Sequence, residues 1–98
     1  MSFQLKFTEF FLSQAGELSP SARKLIDSKL DLLKENPFRF KPLHSKRFKK
    51  LFRIRLNLDG VESRLVYAVI EPNVVIACIL DRKNDYKSLE KFLKKAGI

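Results

Sequence analysis

The stretch FQLKF at residues 3–7 alternates apolar and polar positions, which is the period of a half-buried strand. Thr8 follows it as a cap for a short helix through about Leu18. Ser19-Pro20 starts a second helix, because the serine oxygen accepts orphan backbone donors and proline at the first helical position gives up no hydrogen bond. Ala22, Leu25, Ile26, Leu30 and Leu33 then recur at three- and four-residue spacing, predicting an amphipathic helix to about Glu35, where Asn36-Pro37 stops it. The short link over residues 16–19 folds the two helices into an antiparallel hairpin.

Residues 37–50 read as a loop, and strict alternation begins after it. Phe52, Ile54, Leu56 and Leu58 point one way, and Leu51, Arg53, Arg55 and Asn57 point the other. One face of this strand is core and the other is cationic. Asp59-Gly60 turns the chain, residues 63–70 return as a strand apolar on both faces except at Arg64, and Glu71-Pro72-Asn73 leads into a further strand over residues 74–80. A terminal amphipathic helix is expected over residues 85–95, using Leu89, Phe92 and Leu93. The order β-α-α-β-β-β-α is an α+β architecture: an antiparallel sheet with a helical hairpin packed on one face.

With 98 residues, 45% of them hydrophobic and nine of them Phe, the chain suits one compact domain with a real core. Its longest apolar run covers residues 74–80, far below the ~18 needed to cross a bilayer, so no membrane association is expected. No charged-then-apolar leader stands at the N-terminus. The single Cys78 sits inside the apolar run, where it is expected to pack as a small hydrophobe in a reducing cytoplasm.

Lys and Arg number 20 against 11 Asp and Glu, a net charge of +9, and the excess is concentrated. Arg39, Lys41, Lys46, Arg47, Lys49, Lys50, Arg53 and Arg55 follow one another with no acid between them, a block of the kind that attracts polyanions. One His and one Cys provide no metal cluster, and three glycines provide no phosphate-cradling loop, so no metal or cofactor is expected. What remains is a cationic sheet face with aromatics nearby, suited to RNA phosphates and stacked bases. An acidic partner protein would fit the same charge.

The run FRIRL, a turn, SRLVYAVI, then VVIACIL followed by DRKNDY resembles the RelE toxins of the RelE/ParE superfamily, as do the N-terminal strand, the helical hairpin and the N-P break. The resemblance spans nearly the whole chain. It implies a cytoplasmic type II toxin that cleaves messenger RNA in the ribosomal A site without a metal, and a cognate antitoxin that neutralises it through an acidic, amphipathic helix. It also implies site residues. Arg53 and Arg55 match two basic strand positions that are lysines in the usual pattern, Arg64 the arginine of R-L-V-Y, Arg82 the late arginine and Tyr86 the tyrosine after it. Arg64 and Arg82 would stabilise the phosphate, Arg53 and Arg55 would bind backbone, and Tyr86 would stack a base or transfer a proton. Arg39, Lys41, His44, Lys46, Arg47, Lys49 and Lys50 would contact RNA or ribosome. Arginine keeps its proton above pH ~12 and is a poor general base, so the Lys-to-Arg departures leave that role unassigned. A ParE-like gyrase inhibitor, or a degenerate member that only binds antitoxin or RNA, remains an alternative.

Overall fold

The computed structural model describes residues 3–46, 48–81 and 89–97. In chain order the elements are β1 (Gln4–Phe7), α1 (Glu9–Gly16), α2 (Pro20–Glu35), β2 (Lys41–Leu43), β3 (Leu51–Leu58), β4 (Val61–Ile70), β5 (Asn73–Asp81) and α3 (Leu89–Ala96). The caps act as the sequence anticipates. Thr8 Oγ1 accepts from Phe11 N at 3.0 Å and Ser19 Oγ from Ala22 N at 3.1 Å, each satisfying one orphan donor of its helix.

The five strands lie in the order β1-β5-β4-β3-β2. This corrects the expectation of an antiparallel sheet, because β1 runs parallel to β5 while the other neighbours are antiparallel. A strand's alternation shows which residues it buries and says nothing of its partner. Here the helical hairpin serves as part of the long crossover that parallel pairing requires. The short edge strand β2 lies inside the stretch expected to be loop, with Lys41 opposite Arg53 and Leu43 opposite Leu51.

Helices cover both faces of the sheet. On the first, Phe11, Ile26, Leu30 and Leu33 of the hairpin pack on Phe52, Ile54, Leu65, Tyr67, Val69, Val74 and Ile76. On the second, Leu89 and Leu93 of α3 pack on Leu51, Val66, Ala68, Cys78 and Leu80. That second layer explains why β4 and β5 are apolar on both sides. Tyr67 is fully buried and donates its hydroxyl to Pro37 O at 2.7 Å, tying the end of the hairpin to the sheet. Burial pushes its pKa upward and that of the Cys78 thiol from 9.0 to about 12, so Cys78 is a packing residue, as its apolar context predicts.

Beyond the end of β1, helix α1 closes the exposed edge of β5. The Gln14 amide donates to Ile79 O at 2.8 Å and accepts from Ile79 N at 2.7 Å, and Thr8 Oγ1 donates to Ala77 O at 2.7 Å. These bonds satisfy backbone groups that a strand edge would otherwise present to solvent or to another chain.

Candidate nucleic-acid interface

The second face of the sheet is divided along the strands. Its apolar half lies beneath α3; its cationic half follows from the register. Arg55 stands directly opposite Arg64, Arg53 opposite Val66 and also opposite Lys41 on the other side, and Arg64 opposite Leu80. Lys41, Arg53, Arg55 and Arg64 are therefore contiguous over three strands. Directly opposed residues in such a ladder have Cβ atoms about 5 Å apart, and like charges so placed repel. The arrangement works against stability and concentrates positive potential on one patch, which is what an anion-binding surface requires.

Exposure is graded across the patch. Arg53 is only 9% exposed, Arg64 is half-buried, and Arg55 and Lys41 are open to solvent. Arg53 thus lies where the α3-covered half meets the cationic half, opposite the buried Val66, with the Nε of its guanidinium enclosed. Partial burial lowers the local dielectric and strengthens the field of these guanidinium groups on a bound phosphate.

Lys50 pairs with Glu71 at 3.3 Å and lies 5.4 Å from the centre of the Phe38 ring, and Arg39 lies over Phe40 at 5.6 Å. Lys46 and Lys49 are exposed. His44 is exposed and shares a small hollow with Leu43, Leu89 and Glu90, while Glu90 accepts from Ser45 Oγ at 3.0 Å. Arg47, Arg82 and Tyr86 lie outside the described residues.

The aromatic rings of β3 and β4 lie on the core face, as the alternation of β3 predicts for Phe52. Phe52 and Tyr67 stack on each other at 5.4 Å on the hairpin face, with Phe38 edge-on to Phe52 at 5.9 Å, so the rings of β3 and β4 belong to the core and not to the cationic patch. Strand parity puts them there, since 52 and 67 are out of phase with 53, 55 and 64. Conversely, Glu62 is absent from the residues that the sequence nominates. Its two-residue spacing from Arg64 along a strand is the signal for it, and the register sets it opposite Asn57 on the cationic face.

No protein-family model and no curated protein matches the chain. Among solved structures, the free E. coli RelE toxin, in a form with two arginines replaced by alanine, aligns with a TM-score of 0.75 at 22% identity over 97% of this chain and 98% of its own. The chain has a RelE-type toxin fold. The crystal structure of isolated E. coli RelE in its P21 form aligns at a TM-score of 0.68 and 25% identity, over 92% of this chain and 97% of its own. The intact E. coli RelBE toxin–antitoxin complex supplies a chain that aligns at 0.66 and 25% identity, over 81% of this chain and 95% of its own. The cationic patch of this RelE-type fold is carried by β2, β3 and β4, whose pairing sets its geometry.

Proposed function

We propose that this chain is the toxin of a type II toxin–antitoxin pair, and that it is a metal-independent endoribonuclease cutting messenger RNA in the ribosomal A site. The observation that carries the reading is the Lys41–Arg53–Arg55–Arg64 patch, built into the open half of a sheet face in a RelE-type fold. Net charge of +9 favours a polyanionic partner. No helix among the described residues is long and apolar enough to cross a membrane.

Cleavage proceeds by attack of a 2′-hydroxyl on the adjacent phosphate, which requires in-line positioning, stabilisation of charge growing on the phosphate oxygens, and proton transfer at the attacking and leaving oxygens. Arg64 serves the second requirement, since a half-buried guanidinium forks onto phosphate oxygens and its field acts most strongly as charge develops. Arg82 is assigned the same role on its place in the sequence, and Tyr86 base stacking or proton transfer. Arg53, Arg55 and Lys41 hold the flanking backbone. Arg39, His44, Lys46, Arg47, Lys49 and Lys50 add general attraction to ribosomal RNA. A cognate antitoxin with an acidic, amphipathic helix covers the patch in the cytoplasm until it is released.

The test is to induce the chain without its antitoxin and map messenger 5′ ends in the cell. New ends within translated codons are expected. Intact transcripts with DNA damage would replace this reading with gyrase inhibition, and neither effect would leave a binding protein.

A further inference from the structure

Attack by a 2′-hydroxyl needs a proton acceptor, and arginine cannot provide one at any physiological pH. Arg53, Arg55 and Arg64 therefore supply charge and leave the base open. The register brings a carboxylate to the same ground. In the β3–β4 ladder Asn57–Glu62 is the next pair after Arg55–Arg64 on the same face, and Leu56–Ser63 between them faces the other way. Glu62 and Arg64 are two residues apart on one strand, so they share a face with Cα atoms about 7 Å apart, close enough for both side chains to reach one nucleotide. Glu62 is exposed and lines a depression of ≈ 200 Å³ with Arg55, Leu56 and Asn57.

The other described acids near the sheet are differently disposed. Asp81 stands opposite Ser63 and so falls on the hairpin face, Asp59 accepts from Ser19, Glu71 pairs with Lys50, and Glu90 accepts from Ser45. Asn57 turns its Oδ1 back to accept from Gly60 N at 2.9 Å. A surface made only to bind phosphate would gain affinity by losing Glu62, because a carboxylate repels RNA. A carboxylate also has two oxygens, so one can hold a cationic neighbour while the other accepts a proton.

Building on the nuclease reading above, we infer that Glu62 is the general base that deprotonates the attacking 2′-hydroxyl. The proton passes to a Glu62 carboxylate oxygen as the 2′-oxygen lone pair forms the new bond to phosphorus. The bond from phosphorus to the 5′-oxygen breaks, its electron pair stays on that oxygen, and the leaving oxygen takes a proton from water. Glu62 returns its own proton to solvent. The products are a 2′,3′-cyclic phosphate and a 5′-hydroxyl, with no other reactant consumed.

The experiment uses the full chain on programmed ribosomes, comparing wild type, Glu62→Gln and Glu62→Asp in single-turnover cleavage and in ribosome co-sedimentation, with circular dichroism to confirm folding. Glu62→Gln is expected to lose ~10² to 10⁴ in rate, the range typical of a general base, while binding is kept or tightened; Glu62→Asp should recover part of the rate. A substrate with sulfur in place of the leaving 5′-oxygen departs without needing a proton, so it should leave the Glu62→Gln defect uncorrected. Wild-type cleavage matched by Glu62→Gln overturns the role of Glu62 and spares the nuclease reading. Rescue by the sulfur leaving group overturns it too, since Glu62 would then be a proton donor. Failure of the wild-type chain to cleave overturns the nuclease reading and the inference together.

Discussion

Arg64 is the side chain on which the proposed chemistry weighs most heavily, because it joins half-burial to a position opposite Arg55. Arg64→Ala should leave the fold intact and slow single-turnover cleavage by ~10² to 10³, the usual effect of removing one preorganised charge-stabilising donor, with a much smaller change in ribosome affinity. An equal loss in both measurements would make Arg64 a binding residue instead. Tyr67 presents the opposite case, a polar group spent on structure. Tyr67→Phe leaves Pro37 O without its 2.7 Å partner inside the core and should cost about 1 to 3 kcal/mol in urea unfolding. The raised pKa values of Tyr67 and Cys78 also have a sign. Both groups are held in their neutral forms on folding, so their contribution is full below the unfolded values of 10.0 and 9.0 and falls as pH rises beyond them toward the folded values. Alkaline unfolding of wild type should therefore be steeper than that of a Tyr67→Phe, Cys78→Ala chain, as followed by circular dichroism.

Between elements, the β3–β4 turn and the start of α2 are joined by one acid. Asp59 adopts a positive φ of 53° beside Gly60 at 85°, a turn conformation that Asp and Gly accept readily. Its carboxylate accepts from Ser19 N at 2.9 Å and from the Ser19 hydroxyl, while that hydroxyl oxygen still caps Ala22 N. The hydroxyl bond, then the backbone bond, lowers the Asp59 pKa from 3.8. A lowered folded value means that the stabilisation is present above the unfolded pKa and is lost as pH falls through the folded one. Asp59→Asn keeps the backbone conformation and removes the charge. Its melting temperature should lie below wild type at neutral pH, and the gap should close in acid; a gap independent of pH would show that the charge contributes nothing. The link matters to the site because the same hairpin carries Arg55, Arg64 and Glu62.

Taken as one charged body, the protein is expected to bind ribosomes in a salt-sensitive way. Each phosphate it neutralises releases counterions, giving log K a slope of roughly −0.7 to −0.9 per contact against log salt. Lys41→Ala should flatten that slope by about one contact and spare the chemical step, since Lys41 is exposed at the rim of the patch. Co-sedimentation that does not change with ionic strength would rule out phosphate contacts. Lys50 of the same stretch is already paired to Glu71, so its replacement should have a smaller effect than Lys41→Ala.

Much of this was legible in the chain because it depends on neighbours in sequence. The caps at Thr8 and Ser19, the apolar stripe of α2 and the in–out phase of β3 arise from local pattern, and each is found where that pattern puts it except Leu25, which the stripe includes and the structure leaves exposed. That phase is also why Arg53 and Arg55 could be assigned to one face without knowing what covers it. Pairing is a different kind of information. That β1 runs beside β5, that Lys41 meets Arg53 through an added edge strand, and that α3 roofs half of the cationic face all depend on contacts between distant residues, for which alternation carries no record. The same holds for Glu62, whose parity with Arg64 was visible but whose importance arises only when β3 lays Arg55 and Asn57 beside the two of them. Local patterning can assign a side chain to a face; the neighbours it meets there are set by which strands the core brings together, because hydrophobic burial rewards covered faces whichever segments cover them.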